Sequence, residues 1–155
     1  EEAPEAPAGQ LVREMVTFHL KHITAVCKRD LVEWTVSKKV SASRLLFSAT
    51  RIAGSSVGPH LEAVVPLLCS AVGDDSEEVA HLIVASAHHV GATCDSTQWV
   101  CLCLSALANP KASLAQKANT LVVLAGLVHG CTLGPGPASE ETSAPVMAEG
   151  KAEGE

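Results

Sequence analysis

The side chains that most often ligate metals or attack substrates are present here as seven histidines and six cysteines. Cys101 and Cys103 are two residues apart, and on a helix such side chains point about 200° away from one another, so they do not grip one ion. The other combinations lack the Cys-x-x-Cys or His-x₃-His spacing of metal sites; they are His81 and His88 with Cys94, and His19 and His22 with Cys27. We therefore predict no metal site and interpret Cys101 and Cys103 as small apolar core residues.

Catalytic motifs are also missing from the sequence. It contains no Gly-x-Ser-x-Gly segment, which would expose a nucleophilic serine, and no glycine-rich loop of the kind that cradles phosphates. The sequence predicts a protein that is not an enzyme, with no catalytic residue and no cofactor.

Basic side chains are concentrated in the first part of the chain. Residues 11–58 hold eight Lys and Arg against three acidic residues, whereas residues 59–95 hold six acidic residues and no Lys or Arg. The basic residues of one predicted helix are candidates for binding a partner, although a merely solvated helix face is the alternative: Lys38, Lys39, Arg44 and Arg51. Aromatic residues for base stacking are not interleaved with them, and the acidic neighbouring segment would repel phosphates. We therefore predict a protein partner and no nucleic acid.

The two tryptophans, Trp34 and Trp99, each fall early in a predicted helix. Such a residue packs against the neighbouring helices or stands exposed as a binding anchor. We favour core packing for both and keep the exposed anchor as the alternative.

Six helices are needed to position these residues. Aromatic residues make up 3% of the chain, Tyr is absent, and apolar residues recur at steps of three and four, which favours helices over strands. The first helix has such a stripe at Val12, Met15, Val16, His19, Ile23 and Val26. Acidic residues with Glu or Gln three positions later predict N-terminal capping boxes at Asp30–Glu33, Asp75–Glu78 and Asp95–Gln98. With glycines as stop signals, the predicted helices are roughly 10–27, 30–52, 59–73, 75–91, 95–108 and 111–130.

The spacing of these helices predicts an all-α fold. They form pairs joined by short turns, and the pairs recur about every 35 to 45 residues, which is typical of an α-solenoid of about three HEAT-type helical hairpins. A compact six-helix bundle is the alternative, because hairpins are common to both. We assign residues 10–130 to the solenoid, and we predict disorder for residues 1–9 and for the Gly-, Pro- and Glu-rich residues 131–155.

The chain carries no recognisable targeting segment. No basic and apolar leader opens it, no stretch approaches 18 uninterrupted apolar residues, and the cysteines are irregularly spaced. These features predict a soluble protein in a reducing compartment, without a membrane partner.

Three segments of the sequence resemble one known family in order and separation. They are Asp30-Leu-Val-Glu-Trp34-Thr-Val36, continuing to Leu46; His60-Leu-Glu-Ala-Val64; and Val90-Gly91 with the Ser96 to Leu107 stretch that follows. The run resembles the middle of the HEAT-repeat dynein axonemal assembly factors and covers about residues 11–130. The tail from about residue 131 does not resemble that family.

This resemblance implies a function that composition and spacing do not reach. It implies a cytoplasmic scaffold for preassembly of the dynein arms of motile cilia, acting with axonemal dynein intermediate or heavy chains and with chaperones. The alternative is a HEAT-type scaffold for transport or for nucleic-acid-associated work.

Overall fold

The computed structural model describes residues 7–134, and six α-helices account for most of them. The helices are α1 (Pro7–Leu31), α2 (Val36–Ala53), α3 (Leu61–Ala71), α4 (Glu77–Thr93), α5 (Ser96–Ala108) and α6 (Leu114–Leu133). A 3₁₀ helix, Gly54–His60, joins α2 to α3, and no strand occurs within residues 7–134. The prediction of an all-α fold is confirmed.

The six helices stack as three antiparallel hairpins in two layers. Each odd-numbered helix packs on the even-numbered helix that follows it, and each hairpin packs on the next. One layer contains α1, α3 and α5; the other contains α2, α4 and α6. This repeated stacking is the predicted HEAT-type solenoid, in which a hairpin buries its apolar face against its neighbours.

One continuous core runs through all six helices. A residue from each helix illustrates it: Leu20, Leu46, Leu68, Ile83, Trp99 and Leu127 are each at most 2% exposed. In α1 the buried stripe is Leu20, Thr24, Cys27 and Leu31, so the predicted stripe is wrong. Of its members, three are exposed and three are only partly buried: Val12, Met15 and His19, and Val16, Ile23 and Val26, respectively.

Helices α4 and α6 approach each other closely because small residues lie at their crossing. A methyl group on Gly91 would overlap the carbonyl oxygen of Leu127, and one on Gly130 would overlap the carbonyl oxygen of His88. Gly126 faces the Cβ atom of Ala87 in the same contact. Glycine permits this approach because it has no Cβ atom. Gly91 and Gly130 were predicted to stop helices, and both instead lie inside them.

The N-terminal caps differ from the predicted ones. Asp30 lies within α1, where it pairs with Arg29, and α2 begins later with Thr35 as its N-cap residue. Helix α4 has Ser76 as N-cap, and the backbone N–H of Ser76 donates to Asp74. Asp95 does cap α5, by accepting from the N–H of Thr97. Two of the three predicted caps are therefore wrong, because an acidic residue near a helix start also serves in ion pairs and turns.

The only reciprocal capping box within the described residues is at α6 and was not predicted. Ser113 accepts from the N–H of Gln116, and the Gln116 side chain accepts from the N–H of Ser113. Asn109 accepts from the N–H of Lys111 in the preceding turn, so Lys111 lies before the helix instead of starting it.

The predicted domain limits need small changes where the structure describes them. Residues 7–9 belong to α1 and residues 131–133 belong to α6. The remainder of the two segments predicted as disordered, residues 1–6 and 135–155, lies outside the described residues.

By length and composition alone, the helical run from Val36 to Ala71 falls in the range of a membrane-crossing segment, as core helices of folded proteins also do. Gly54, with a φ of 54°, and the 3₁₀ helix divide this run. The two parts are α2, with four basic residues, and the 11-residue α3, whereas a span needs about 20 apolar residues.

Candidate protein-binding surface

Two of the four basic residues predicted to bind a partner connect neighbouring hairpins. The Nζ atom of Lys39 in α2 donates to Asp74, before α4, at 2.7 Å, and their side chains are only 22% and 14% exposed. The guanidinium of Arg44 pairs with Glu78 in α4 at 2.6 Å. The acidic segment that follows the basic helix in the sequence thus neutralises part of it within the same molecule.

The carboxyl group of Asp74 shows how this contact is stabilised. Partial burial raises its pKa, but hydrogen bonds from Lys39 and from the N–H of Ser76 outweigh that cost, and the net pKa is lowered. Asp74 is therefore charged near neutral pH and joins the first hairpin to the second.

The other two basic residues differ in their surroundings. Lys38 is exposed and lies 3.7 Å from Glu33, a surface pair that contributes little to stability. Arg51 has no carboxylate partner within residues 7–134; its guanidinium lies 5.9 Å from the centre of the Phe47 ring. Among the four, Arg51 is the side chain with charge available for a partner.

Three histidines continue the surface from Arg51 across the next two helices. The ring of Phe47 lies 5.5 Å from that of His89 in α4, and the ring of His88 lies 4.7 Å from that of His129 in α6. Arg51, Phe47, His89, His88 and His129 thus follow one another over α2, α4 and α6, and we call this set the imidazole ladder.

The electrostatic surroundings of His88 and His89 are basic. Burial lowers the pKa of His88, with further lowering by His129 and His89. Burial also lowers the pKa of His89, and the charge of Arg51 adds to this effect. No carboxylate contributes to either shift, which distinguishes the ladder from the Lys39 and Arg44 contacts.

The layer that carries the ladder is the tightly packed one. The glycine crossing brings α4 and α6 into backbone contact. In the other layer an open groove of about 430 Å³ separates α1 from α3, and one of about 410 Å³ lies between α3 and the last hairpin. The helices of the α2–α4–α6 layer therefore pack more closely on one another than those of the α1–α3–α5 layer.

The two tryptophans have opposite environments. Trp99 is 2% exposed and belongs to the core as predicted, although its Nε1 atom has no hydrogen-bond partner within residues 7–134. Trp34 lies in the turn between α1 and α2 and is 89% exposed. The prediction of core packing is wrong for Trp34, because Trp34 precedes Thr35, the N-cap residue of α2, and so lies outside the helix that was predicted to pack it.

The cysteines are free thiols. Burial raises the pKa of Cys27 and of Cys103 to about 11. Cys103 is buried as predicted, but Cys101 is exposed, so the prediction of a core position is wrong for Cys101. The physical reason is that side chains two residues apart on a helix point in nearly opposite directions. Within the described part of the chain, no three His, Cys, Asp or Glu side chains come together as a metal site would require.

The imidazole ladder was not predicted from the sequence. His88 was grouped with His81 and Cys94 on α4, whereas the partner of His88 is His129, 41 positions later. The available signal was the glycine spacing of α6, Gly126-x₃-Gly130, which marks a helix crossing and would have placed His129 beside α4.

The fold and this surface define a class of protein: an α-solenoid of HEAT-type hairpins that offers a polar face for contacts. The family model for the HEAT-repeat domain of dynein axonemal assembly factor 5 matches residues 8–134, and the chain belongs to that family.

Three relatives with this family name are similar to the chain at low identity. The protein of Mus musculus is 27% identical over 127 residues, which are 82% of this chain and 14% of the relative. The Homo sapiens protein is 29% identical over 77% of this chain, which corresponds to 13% of that protein's length. The Xenopus laevis protein is 27% identical over 77% of this chain, which corresponds to 14% of that protein's length. The chain thus spans about one seventh of the length of these relatives. No solved structure matches it.

Proposed function

We propose that this chain is a non-enzymatic scaffold segment that takes part in the cytoplasmic preassembly of axonemal dynein arms. The observation that carries the proposal is the family match, which extends over all six helices. The relatives are named for dynein axonemal assembly, and a HEAT-type array serves such work by presenting side chains along its length.

The partners we propose are axonemal dynein intermediate or heavy chains and the chaperones that act on them. Protein binding agrees with the distribution of charge, because acidic side chains of the second hairpin lie beside the basic α2 and disfavour a phosphate backbone. The HEAT-type transport or nucleic-acid-associated alternative has no comparable support.

Co-purification tests this function. The tagged chain is expressed in ciliating cells, recovered with and without nuclease treatment, and compared with an unrelated HEAT-type array carrying the same tag. We expect dynein intermediate or heavy chains and chaperones to be enriched over the control, in the cytoplasmic fraction and independently of nuclease. Enrichment of nucleic acid or nuclear cargo in their place would contradict the proposal.

A further inference from the structure

Acidic side chains lie beside Lys39 and Arg44 of α2 but not beside the imidazole ladder. The sequences of α2 and α6 contain no Asp or Glu, and the two glutamates of α4, Glu77 and Glu78, lie in its first turn. Glu78 already pairs with Arg44. His88 and His89 lie about three helical turns further along α4, roughly 15 Å away at 1.5 Å per residue. Arg51 and these histidines therefore form a basic region without an internal counterion.

The ladder also has room between its two halves. On α4, His88 and His89 point about 100° apart, so the first faces α6 and the second faces α2. The α4 positions nearest to them between these directions are Ala85 and Ala92, both small and half-buried, and His81, two turns before His88, points the same way and is exposed. We call this strip of α4 the trough, because the small alanines leave space between the imidazole of His88 on one side and that of His89 on the other.

The hydrogen-bonding groups of the ladder suit carboxylates. A guanidinium presents several N–H donors, and each imidazole presents one N–H when neutral and two when protonated. Protonation of His88 is disfavoured by its burial and by the neighbouring His129, whose ring centre lies 4.7 Å away. A carboxylate bound beside these two rings offsets that effect and forms charge-assisted hydrogen bonds.

We propose that the trough on the α2–α4–α6 layer binds an acidic peptide segment of a protein partner, with Arg51 and the histidines of the ladder as carboxylate ligands, and that binding strengthens as pH falls. The inference rests on the proposed function in that the partner is a protein, and it adds the chemistry of the segment that is recognised. A bound anion favours protonation of the histidines, so by linkage protonation favours the anion.

The charged groups around the histidines determine this pH dependence. Arg51 on α2 and His129 on α6 face them, and His81 lies on α4 itself. Asp95, the nearest acidic residue in sequence, follows the end of α4 and is engaged as the N-cap of α5. Carboxylates of the peptide therefore supply the missing negative charge.

Fluorescence anisotropy with the full 155-residue chain tests the inference. The probes are a labelled synthetic peptide rich in Glu and Asp and its counterpart with Gln and Asn at those positions. At about pH 6 we expect the acidic peptide to bind at least roughly tenfold more tightly than the amide peptide. We also expect the acidic peptide to bind less tightly at about pH 7.5 than at about pH 6.

Three variants identify the groups that bind. Arg51→Gln should weaken acidic-peptide binding roughly tenfold, since a charge-assisted contact is lost. The double variant His88→Gln and His129→Gln should remove most of the pH dependence. Lys111→Gln is the matched control, because it loses the same charge as Arg51→Gln from an exposed turn outside the ladder, and it should bind as the parent does. Circular dichroism checks that every variant keeps the parent's helical signal.

Several outcomes would overturn the inference. Equal binding of the two peptides, equal weakening by Arg51→Gln and Lys111→Gln, or an unchanged pH dependence in the double variant would each do so. Equally effective competition by single-stranded RNA of the same charge would mean that the surface attracts anions in general. If dynein chains co-purify with this protein but the acidic peptide does not bind, the inference fails while the proposed function stands. If the acidic peptide binds but no dynein chain co-purifies, the proposed function is rejected.

Discussion

Individual residues of this chain serve in roles that their types alone do not reveal. Lys39 and Arg44 belong to the same basic run as Arg51, yet the first two face carboxylates of the next hairpin and Arg51 does not. The sequence identified the basic set but not this division, because Asp74 and Glu78 lie 35 and 34 positions away and reach α2 only when the hairpins stack. Side chains that pair across hairpins stabilise the stack, and those without a partner are available for binding.

The two ion pairs between the first and second hairpins should differ in their contribution to stability. Lys39→Gln should lower the free energy of unfolding by about 1.5–3 kcal/mol, because it leaves the largely buried Asp74 without its charged hydrogen-bond donor. Arg44→Gln should cost less than about 1 kcal/mol, since Arg44 and Glu78 are both exposed. Urea unfolding near neutral pH measures both values, and equal costs would contradict this assignment.

The histidines of the ladder should make the fold sensitive to mild acid. The pKa values of His88 and His89 are lowered in the folded chain, so as pH falls below about 6.5 the unfolded chain takes up protons that the folded chain resists. Their contribution to stability is present above that pH and is lost as pH falls through their folded pKa values. We expect the midpoint of urea unfolding to decrease between about pH 7 and pH 5, and to decrease less in a double variant with His88→Gln and His89→Gln. An identical decrease in both proteins would show that other groups cause it.

At the scale of elements, the hydrophobic period predicted the six helices, and their boundaries depended on signals with more than one meaning. Gly91 and Gly130 fit a stop signal by sequence, but the packing of α4 on α6 uses them for close approach inside each helix. Asp30 and Asp75 fit the pattern of a cap, but the N-cap residues of α2 and α4 are Thr35 and Ser76. Such choices depend on tertiary contacts, which the local sequence does not contain.

The glycine crossing is expected to be strict. Gly91→Ala and Gly130→Ala should each lower the free energy of unfolding by about 1–3 kcal/mol or more, because the new methyl group meets a backbone carbonyl that cannot rotate away. Gly58→Ala is the matched control: its methyl group would meet only the Gln98 side chain, at 4.0 Å. Thermal unfolding compares the three variants, and a tolerated Gly91→Ala would mean that the two helices lie further apart.

The caps offer a second test at this scale. Ser113→Ala should cost about 1 kcal/mol, because Ser113 satisfies a free N–H at the start of α6. Asp75→Ala, at a position predicted as a cap but not used as one, should have little effect. Urea unfolding measures the free energy of unfolding of both variants. A larger loss of stability in Asp75→Ala than in Ser113→Ala would show that Asp75 does cap α4.

At the scale of the whole molecule, the first and last hairpins expose apolar residues that an inner hairpin would bury. Leu11, Met15 and Phe18 of α1 are exposed, as are Leu114, Leu121 and Val128 of α6. On α6 these residues recur at steps of seven, which places them along one side of the helix. The solenoid architecture was predictable from the spacing of the hairpins, whereas the exposure of its two ends depends on which contacts the fold provides.

These apolar ends should make the isolated chain self-associate. Burial of exposed Leu and Phe side chains favours association by about 25 cal/mol for each Å² removed from water. Sedimentation velocity should therefore show weight-average mass rising with concentration, and Leu121→Lys together with Val128→Lys should reduce the rise. Ser70→Lys, which adds a charge at an exposed residue of the inner hairpin, is the control. A monomer at all concentrations would contradict this prediction.

The measurement that tests the central claim most directly is quantitative co-purification from ciliating cells with three tagged forms: the parent, Arg51→Gln and Lys111→Gln. If the chain is a scaffold segment that holds its partners on the α2–α4–α6 layer, the parent and Lys111→Gln should recover dynein intermediate or heavy chains at equal levels. Arg51→Gln should recover them at a level reduced several-fold. Failure of the parent to enrich dynein chains over an unrelated HEAT-type array would contradict the claim.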